Sequence, residues 1–288
     1  VKYTHFPGCS LEATVTGYGT SFSAVLQALD IEVEELPDWN CCGSPEYFAI
    51  DEVASLCLAG RNLALAEQRG LDLVASCTAC YAHLDKTNRY IRGMPAVKDK
   101  VDEALRAGGL EYQGTVRVRH LTEILLDSAC LEIISSRVKR PLNGLLVATY
   151  YGCSLIRSDA DIGVSGLVHS LDQLITNLGA TPVPFPLMNR CCGGMLFGGE
   201  EDIALSMLNK LLLSIVDCQA QIIVCICPLC HLNLDAYQSR ANRLFSTGYQ
   251  IPALFVTQLI GVALGLDANS LGIDRNIISP RSILAPYI

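Results

Sequence analysis

Short apolar runs alternate with longer amphipathic ones along this chain. Lys2–Phe6, Glu32–Leu36, Leu71–Ala75 and Val116–Arg119 have strand character. Phe22–Leu29, Ile50–Gln68 and Leu121–Leu131 read as helices, and Gly70 follows the second as a stop. Basic residues, Pro141 and Asn143 interrupt the pattern at Arg137–Asn143. It then resumes: Leu145–Tyr150 as a buried strand, Ile162–Leu178 as a helix ended by Gly179, and Thr181–Phe185 as a proline-weakened strand. Ile203–Val216 follows as a helix and Gln221–Cys225 as a strand. The apolar run Ala253–Leu266, broken by Thr257 and Gln258, reads as a strand and a short helix. It is either a core element or a face laid against a membrane or partner. Alternation of strands and helices predicts an α/β fold with a mainly parallel sheet, whose ligands sit in loops after the strands' carboxyl ends.

The cysteines divide the chain in two. Cys9, Cys41-Cys42-Gly43 and Cys77-x-x-Cys80 recur as Cys153, Cys191-Cys192-Gly193 and Cys227-x-x-Cys230. The first cysteine is offset by 144 residues and every later one by 150, and Gly8-Cys9-Ser10-Leu11 returns as Gly152-Cys153-Ser154-Leu155. Such register implies internal duplication. We expect two pseudo-symmetric Rossmann-like halves, residues 1–138 and 139–288, with each cysteine motif in loops after strands.

Composition sharpens the chemistry. Of 288 residues, 50% are hydrophobic and 17% charged, so much surface is expected to be buried. The formal charge of −8 offers no basic footprint for nucleic acid. Fourteen cysteines suit either a disulfide scaffold or metal binding. Val1–Gly8 lacks the apolar core of a signal peptide, and no apolar stretch reaches ~18 residues. A reducing, cytoplasmic setting and metal-binding thiolates are therefore expected, with membrane association only peripheral and through a complex. Thiolates suit iron–sulfur clusters or zinc. Each half has five motif thiols, whereas zinc or an ordinary cubane uses four; the residues alone assign four ligands with one spare, or four around a disulfide. Gly43 and Gly193 permit a sharp turn at the adjacent pairs, and Gly8 and Gly152 do the same before the first cysteine.

The twice-repeated order of a cysteine, an adjacent pair and a CxxC resembles the CCG family, and most closely the B subunit of heterodisulfide reductase. The resemblance spans essentially the whole chain and extends to Val118-Arg119-His120-Leu121 and Ile251–Gly261. It implies two non-cubane [4Fe-4S] clusters, one on Cys9, Cys41, Cys42, Cys77 and Cys80, the other on Cys153, Cys191, Cys192, Cys227 and Cys230. It also implies reduction of a thiol-cofactor disulfide (CoM-S-S-CoB or an analogue) within a complex. A relay or anchor subunit of a succinate/fumarate–quinone oxidoreductase is the alternative, with Ala253–Leu266 as its one candidate membrane face. The methanogen pattern places a histidine after the first cysteine of the second motif; here it is Ser154. Ser154, His120 and His231 are candidate hydrogen-bonding or proton-delivery groups; for both histidines packing is the competing role. His83 has a weaker case. Cys225 reads as a small buried hydrophobe or an extra sulfur near a cluster, and Cys57, Cys130 and Cys218 as core. The chain has no dinucleotide-binding glycine fingerprint and no cubane motif of bacterial spacing. Its electrons would have to come through a ferredoxin-like [4Fe-4S] subunit and, beyond it, a flavin-containing iron–sulfur subunit.

Overall fold

The computed structural model describes residues 1–43, 46–153 and 170–288. The first half runs β1 (Lys2–Phe6), α1 (Thr16–Ala28), β2 (Glu32–Glu35), α2 (Glu46–Ile50), α3 (Glu52–Glu67), β3 (Leu73–Ala75), α4 (Thr78–Gly93), α5 (Pro95–Ala107), β4 (Val118–His120), α6 (Leu121–Leu125) and α7 (Ser128–Arg137). The second runs β5 (Leu146–Tyr150), α8 (Ser170–Asn177), β6 (Thr181–Pro182), α9 (Glu201–Asp217), β7 (Ile222–Cys225), α10 (Pro228–Ala236), α11 (Gln238–Phe245), β8 (Ala253–Phe255), α12 (Val256–Ala263) and α13 (Arg281–Leu284). Each half forms a four-stranded sheet of the same order, β2-β1-β3-β4 and β6-β5-β7-β8, with all pairings parallel. The α/β architecture in two similar halves is therefore the one expected from the sequence.

The central strands β3 and β7 are apolar on both faces because helices cover both. On β7, Ile222 and Val224 join one packed core while Ile223 and Cys225 join another. Local chemistry explains where element limits depart from the hydrophobic pattern. The helix expected over Ile50–Gln68 is split at Asp51, whose carboxylate accepts the Ala54 N–H at 3.0 Å and starts α3 afresh. Leu121–Leu131 is likewise split, with Asp127 capping α7 through the Ala129 N–H at 3.1 Å. The strand expected over Thr181–Phe185 shrinks to two residues, because Pro182 and Pro184 carry no ladder donor. Of Ile162–Leu178, the part within the described residues forms α8.

The apolar run Ala253–Leu266 lies inside the molecule. All of α12 is buried, and it packs along α1 of the first half. Ser21 Oγ and Thr257 Oγ1 are 2.7 Å apart, and Tyr18 stacks on Phe255 with centroids 4.0 Å apart. This is the core-element reading; the run offers no outward face to a membrane. Among the described residues no helix is long and apolar enough to cross one.

Candidate functional site

Strand ends place the thiols. β1, β2 and β3 lead to Cys9, Cys41 and Cys77, while β5, β6 and β7 lead to Cys153, Cys191 and Cys227. Cys77 and Cys227 occupy the N-cap positions of α4 and α10, both in extended backbone, so Cys80 and Cys230 follow in the first helical turn. A helix N-terminus favours a thiolate there. Gly8 and Gly152 have φ of +70° and +71°. A Cβ on either would stand 3.2 Å from the sulfur of Cys80 or Cys230 respectively. These glycines thus let the first-cysteine loop lie against the second sulfur of each CxxC. Gly43 and Gly193 are also left-handed. Beyond that turn the N–H groups of Gly193 and Gly194 donate to the sulfurs of Cys191 and Cys192, each at 3.4 Å.

All fourteen cysteines are free thiols, so the disulfide-scaffold alternative does not describe this molecule. In the first half, Cys41 lies close enough to Cys9 and Cys42 to exchange pKa shifts with them. Cys42 Sγ lies 3.3 Å from Cys80 Sγ, and Cys80 contacts Cys77. In the second half Cys191 contacts Cys192, Cys192 Sγ lies 3.5 Å from Cys230 Sγ, and Cys230 contacts Cys227. Cys153 lies close enough to Tyr150 for their charges to interact. Between the halves, Cys77 and Cys227 lie close enough for each to shift the other's pKa. Nine of the ten motif sulfurs, all but Cys153, are therefore linked in one continuous array. Its CxxC side is buried, Cys9 and Cys41 are exposed, and Cys153 and Cys191 are half-buried.

These thiols cannot all ionise together unaided. Hydrogen bonds from Cys227 and Cys80 hold Cys77 low, and those from Cys42 and Cys9 hold Cys41 low. Cys80 and Cys230 are correspondingly pushed up, chiefly by their hydrogen bonds with Cys42 and Cys192. A positively charged soft acceptor would relieve this repulsion. The donor set is wholly sulfur, glycines leave room beside it, and backbone N–H groups point at it; these features fit iron–sulfur ligation. The contacts run as a chain, and among the described residues no three His, Cys, Asp or Glu side chains have the spacing for a single metal ion.

His120 reaches the array. Its Nδ1 accepts the Thr122 N–H at 3.2 Å, which puts the proton on Nε2, 3.4 Å from Thr78 Oγ1 inside the first CxxC. Burial pushes its pKa down to about 4, and the charge of Cys227 opposes that shift. His231 instead stacks on Phe255 at 3.9 Å and bonds the Ala253 carbonyl at 2.9 Å. Burial lowers it to about 4, and its Nδ1 is buried without a partner. Ser154 lies outside the described residues. His83 props a loop: it meets Ser55 Oγ at 2.9 Å, and that hydroxyl donates to the Gly43 carbonyl at 3.0 Å.

Several supporting residues carried no motif. Asn62 Oδ1 accepts the Asn40 N–H at 3.0 Å and its Nδ2 donates to the Asn40 carbonyl at 2.9 Å. Tyr150 Oη donates to the Arg190 carbonyl at 2.5 Å. Asn40 and Arg190 each precede a CC pair, so two unlike side chains hold the same carbonyl in the two halves. Asn233 Nδ2 donates to the Cys192 carbonyl. Tyr18, fully buried, donates to the Ser76 carbonyl at 3.0 Å beside Cys77 and Cys227.

A family described as a cysteine-rich domain, CCG, matches residues 3–85 and 147–235. The 8-methylmenaquinol:fumarate reductase membrane anchor subunit of Wolinella succinogenes is 34% identical over 285 residues, covering 98% of this chain and 99% of the relative. The B subunit of the ferredoxin/F(420)H(2)-dependent CoB-CoM heterodisulfide reductase of Methanosarcina acetivorans is 34% identical over 289 residues, covering 99% and 96%. A crystal structure of a hypothetical protein from Helicobacter pylori aligns over 96% of this chain with a TM-score of 0.79 and 18% identity, a likeness of fold. This chain spans 52% of that one. With both repeats matched and relatives alike across nearly the whole length, the chain belongs to the cysteine-rich CCG-domain family, which includes the B subunits of heterodisulfide reductases.

Proposed function

We propose that the chain is the catalytic subunit of a heterodisulfide reductase-like complex, converting the disulfide of a small thiol cofactor (CoM-S-S-CoB or an analogue) to two thiols. The observation that carries this is the Cys77–Cys227 contact, which sets the two five-thiol groups side by side. Cys9, Cys41, Cys42, Cys77 and Cys80 would hold one non-cubane [4Fe-4S] cluster. Cys153, Cys191, Cys192, Cys227 and Cys230 would hold the other. When bound, the pair supplies the two electrons that the reaction RSSR′ + 2e⁻ + 2H⁺ → RSH + R′SH consumes, relayed from a ferredoxin-like [4Fe-4S] subunit and a flavin-containing iron–sulfur subunit. The chain's residues bind and shield: the exposed Cys9/Cys41 side faces the incoming disulfide, and the buried CxxC side excludes water. His120 presents its Nε2 proton toward Thr78. Residues 1–138 and 139–288 serve as one ligand-holding unit each, in a cytoplasmic hetero-oligomer.

The Wolinella relative supports a second reading, a relay or anchor subunit in a fumarate–quinone complex. Burial of Ala253–Leu264 removes the one apolar face that reading had in this chain. Anaerobic affinity capture from native cells separates the two. Ferredoxin-like and flavin-binding iron–sulfur partners, with disulfide-dependent oxidation of a reduced donor, are expected. Recovery of a fumarate or succinate flavoprotein instead, with no turnover of any disulfide, would refute the first reading.

A further inference from the structure

The two thiol centres are not equal. Cys225 ends β7 two residues before Cys227, fully buried. It pairs in register with Tyr150 on β5 and Phe255 on β8. Alternation along the strand sends its side chain, with those of Ile223, Ala148 and Tyr150, into the packed cluster that holds Cys192, Cys227 and Cys230. Val147, Ile222, Val224 and Leu254 face the other core. The equivalent position of the first half, at the end of β3 two residues before Cys77, is Ala75. Likewise Tyr150, before Gly152-Cys153, stands where the first half has Phe6 before Gly8-Cys9. The packed cluster around the second centre thus holds a sixth thiol, which interacts with the charges of Cys227 and Cys192, and a phenol, where that around the first holds a methyl and a benzene ring.

We propose that Cys225 is a tuning residue, whose thiol hydrogen, turned to the sulfurs of the second centre, sets the reduction potential there apart from that of the first. This rests on the reading that both centres hold iron–sulfur clusters. Reduction adds negative charge to a cluster, and a hydrogen bond to its sulfurs stabilises that charge more than it does the oxidised form. A methyl group at the same place does nothing comparable. The asymmetry gives electrons a preferred end within a chain built from two copies of one motif.

The test is a potentiometric titration of the anaerobically purified native complex, followed by electron paramagnetic resonance, with iron and sulfide counted in every sample. Wild-type protein should show two couples at different potentials. Cys225→Ala should lower one couple and leave the other in place, with both clusters' iron retained. Cys225→Ser, which keeps a hydrogen donor, should hold that couple near its wild-type potential. The tuning role is overturned if Cys225→Ala moves neither couple or both, or if Cys225→Ser falls as far as Cys225→Ala. It is also overturned if Cys225→Ala loses a cluster's iron, since Cys225 would then be a ligand. Wild-type protein carrying only one cluster's worth of iron would overturn the two-cluster reading itself and the inference with it.

Discussion

Gly8→Ala separates backbone strain from crowding at a ligand. Gly8 has φ of +70°, and Gly70, far from any thiol motif, has φ of +67°. Forcing an L-residue into this region costs about 1–2 kcal/mol. Nothing lies within 4 Å of a Cβ placed on Gly70, so Gly70→Ala measures that strain alone. In a chain of this size it should lower the thermal midpoint by roughly 2–8 °C. Gly8→Ala carries the same strain and also sets its Cβ 3.2 Å from Cys80 Sγ, so the sulfur must retreat by a few tenths of an ångström. A free thiol can rotate away, but one tied to iron cannot without stretching a bond of fixed length. Gly8→Ala should therefore be purified with depleted iron and sulfide, Gly70→Ala with a full complement, and Gly152→Ala should deplete the other centre in the same way. Anaerobic iron and sulfide assays with thermal unfolding provide the comparison. If Gly8→Ala keeps all its iron and melts no lower than Gly70→Ala, the argument that Gly8 clears space for a ligand sulfur is wrong.

Asn62→Ala leaves both backbone groups of Asn40 unpaired and should cost about 1–3 kcal/mol together with iron from the first centre; unchanged urea unfolding would contradict this. Tyr150→Phe, which removes one bond to the Arg190 carbonyl, should cost about 1 kcal/mol and affect only the second centre. Gly261→Ala would put a Cβ 2.1 Å from Cδ2 of the fully buried Leu271, so an overpacking loss of about 1–3 kcal/mol is expected in the same assay. His5, His120 and His231 are pushed by burial to about 3, 4 and 4, so they stay neutral in the fold while the unfolded chain takes up protons below pH 6.5. Stability should be complete above that pH and fall as pH drops toward 4, at up to about 4 kcal/mol per pH unit for three protons. Urea midpoints flat from pH 7.5 to 5 would rule out that linkage.

The thiol motifs were legible because their chemistry depends on local geometry. A left-handed glycine beside a cysteine and a fixed interval to a CxxC are consequences of backbone turns, and both are written in neighbouring residues. The caps at Asp51 and Asp127 were legible in principle, since an aspartate inside an apolar run competes for backbone N–H groups. Helices α4 and α5 left a weaker trace, because the N-cap of α4 is Cys77, a residue without the usual capping side chain. Asn62, Tyr150 and Asn233 act through backbone carbonyls remote in sequence, which no periodicity records. Ala253–Leu266 had the composition of a membrane-facing run, and only the packing of α12 on α1 shows it to be the seam between halves. Nor does spacing within one motif reveal that Cys77 meets Cys227.

That meeting has a consequence for descent. Cys77 and Cys227 hold the same place in the two repeats, and a contact between equivalent positions lies on an approximate twofold axis, as in a homodimer with an isologous interface. An unfused ancestor carrying one motif would have gained its neighbouring centre from a second copy of itself, with both sides bound to remain identical. Joining the copies in one polypeptide released them from that identity. A substitution such as alanine to cysteine at the strand end then reaches one side of the axis alone, and a symmetric pair acquires a front and a back.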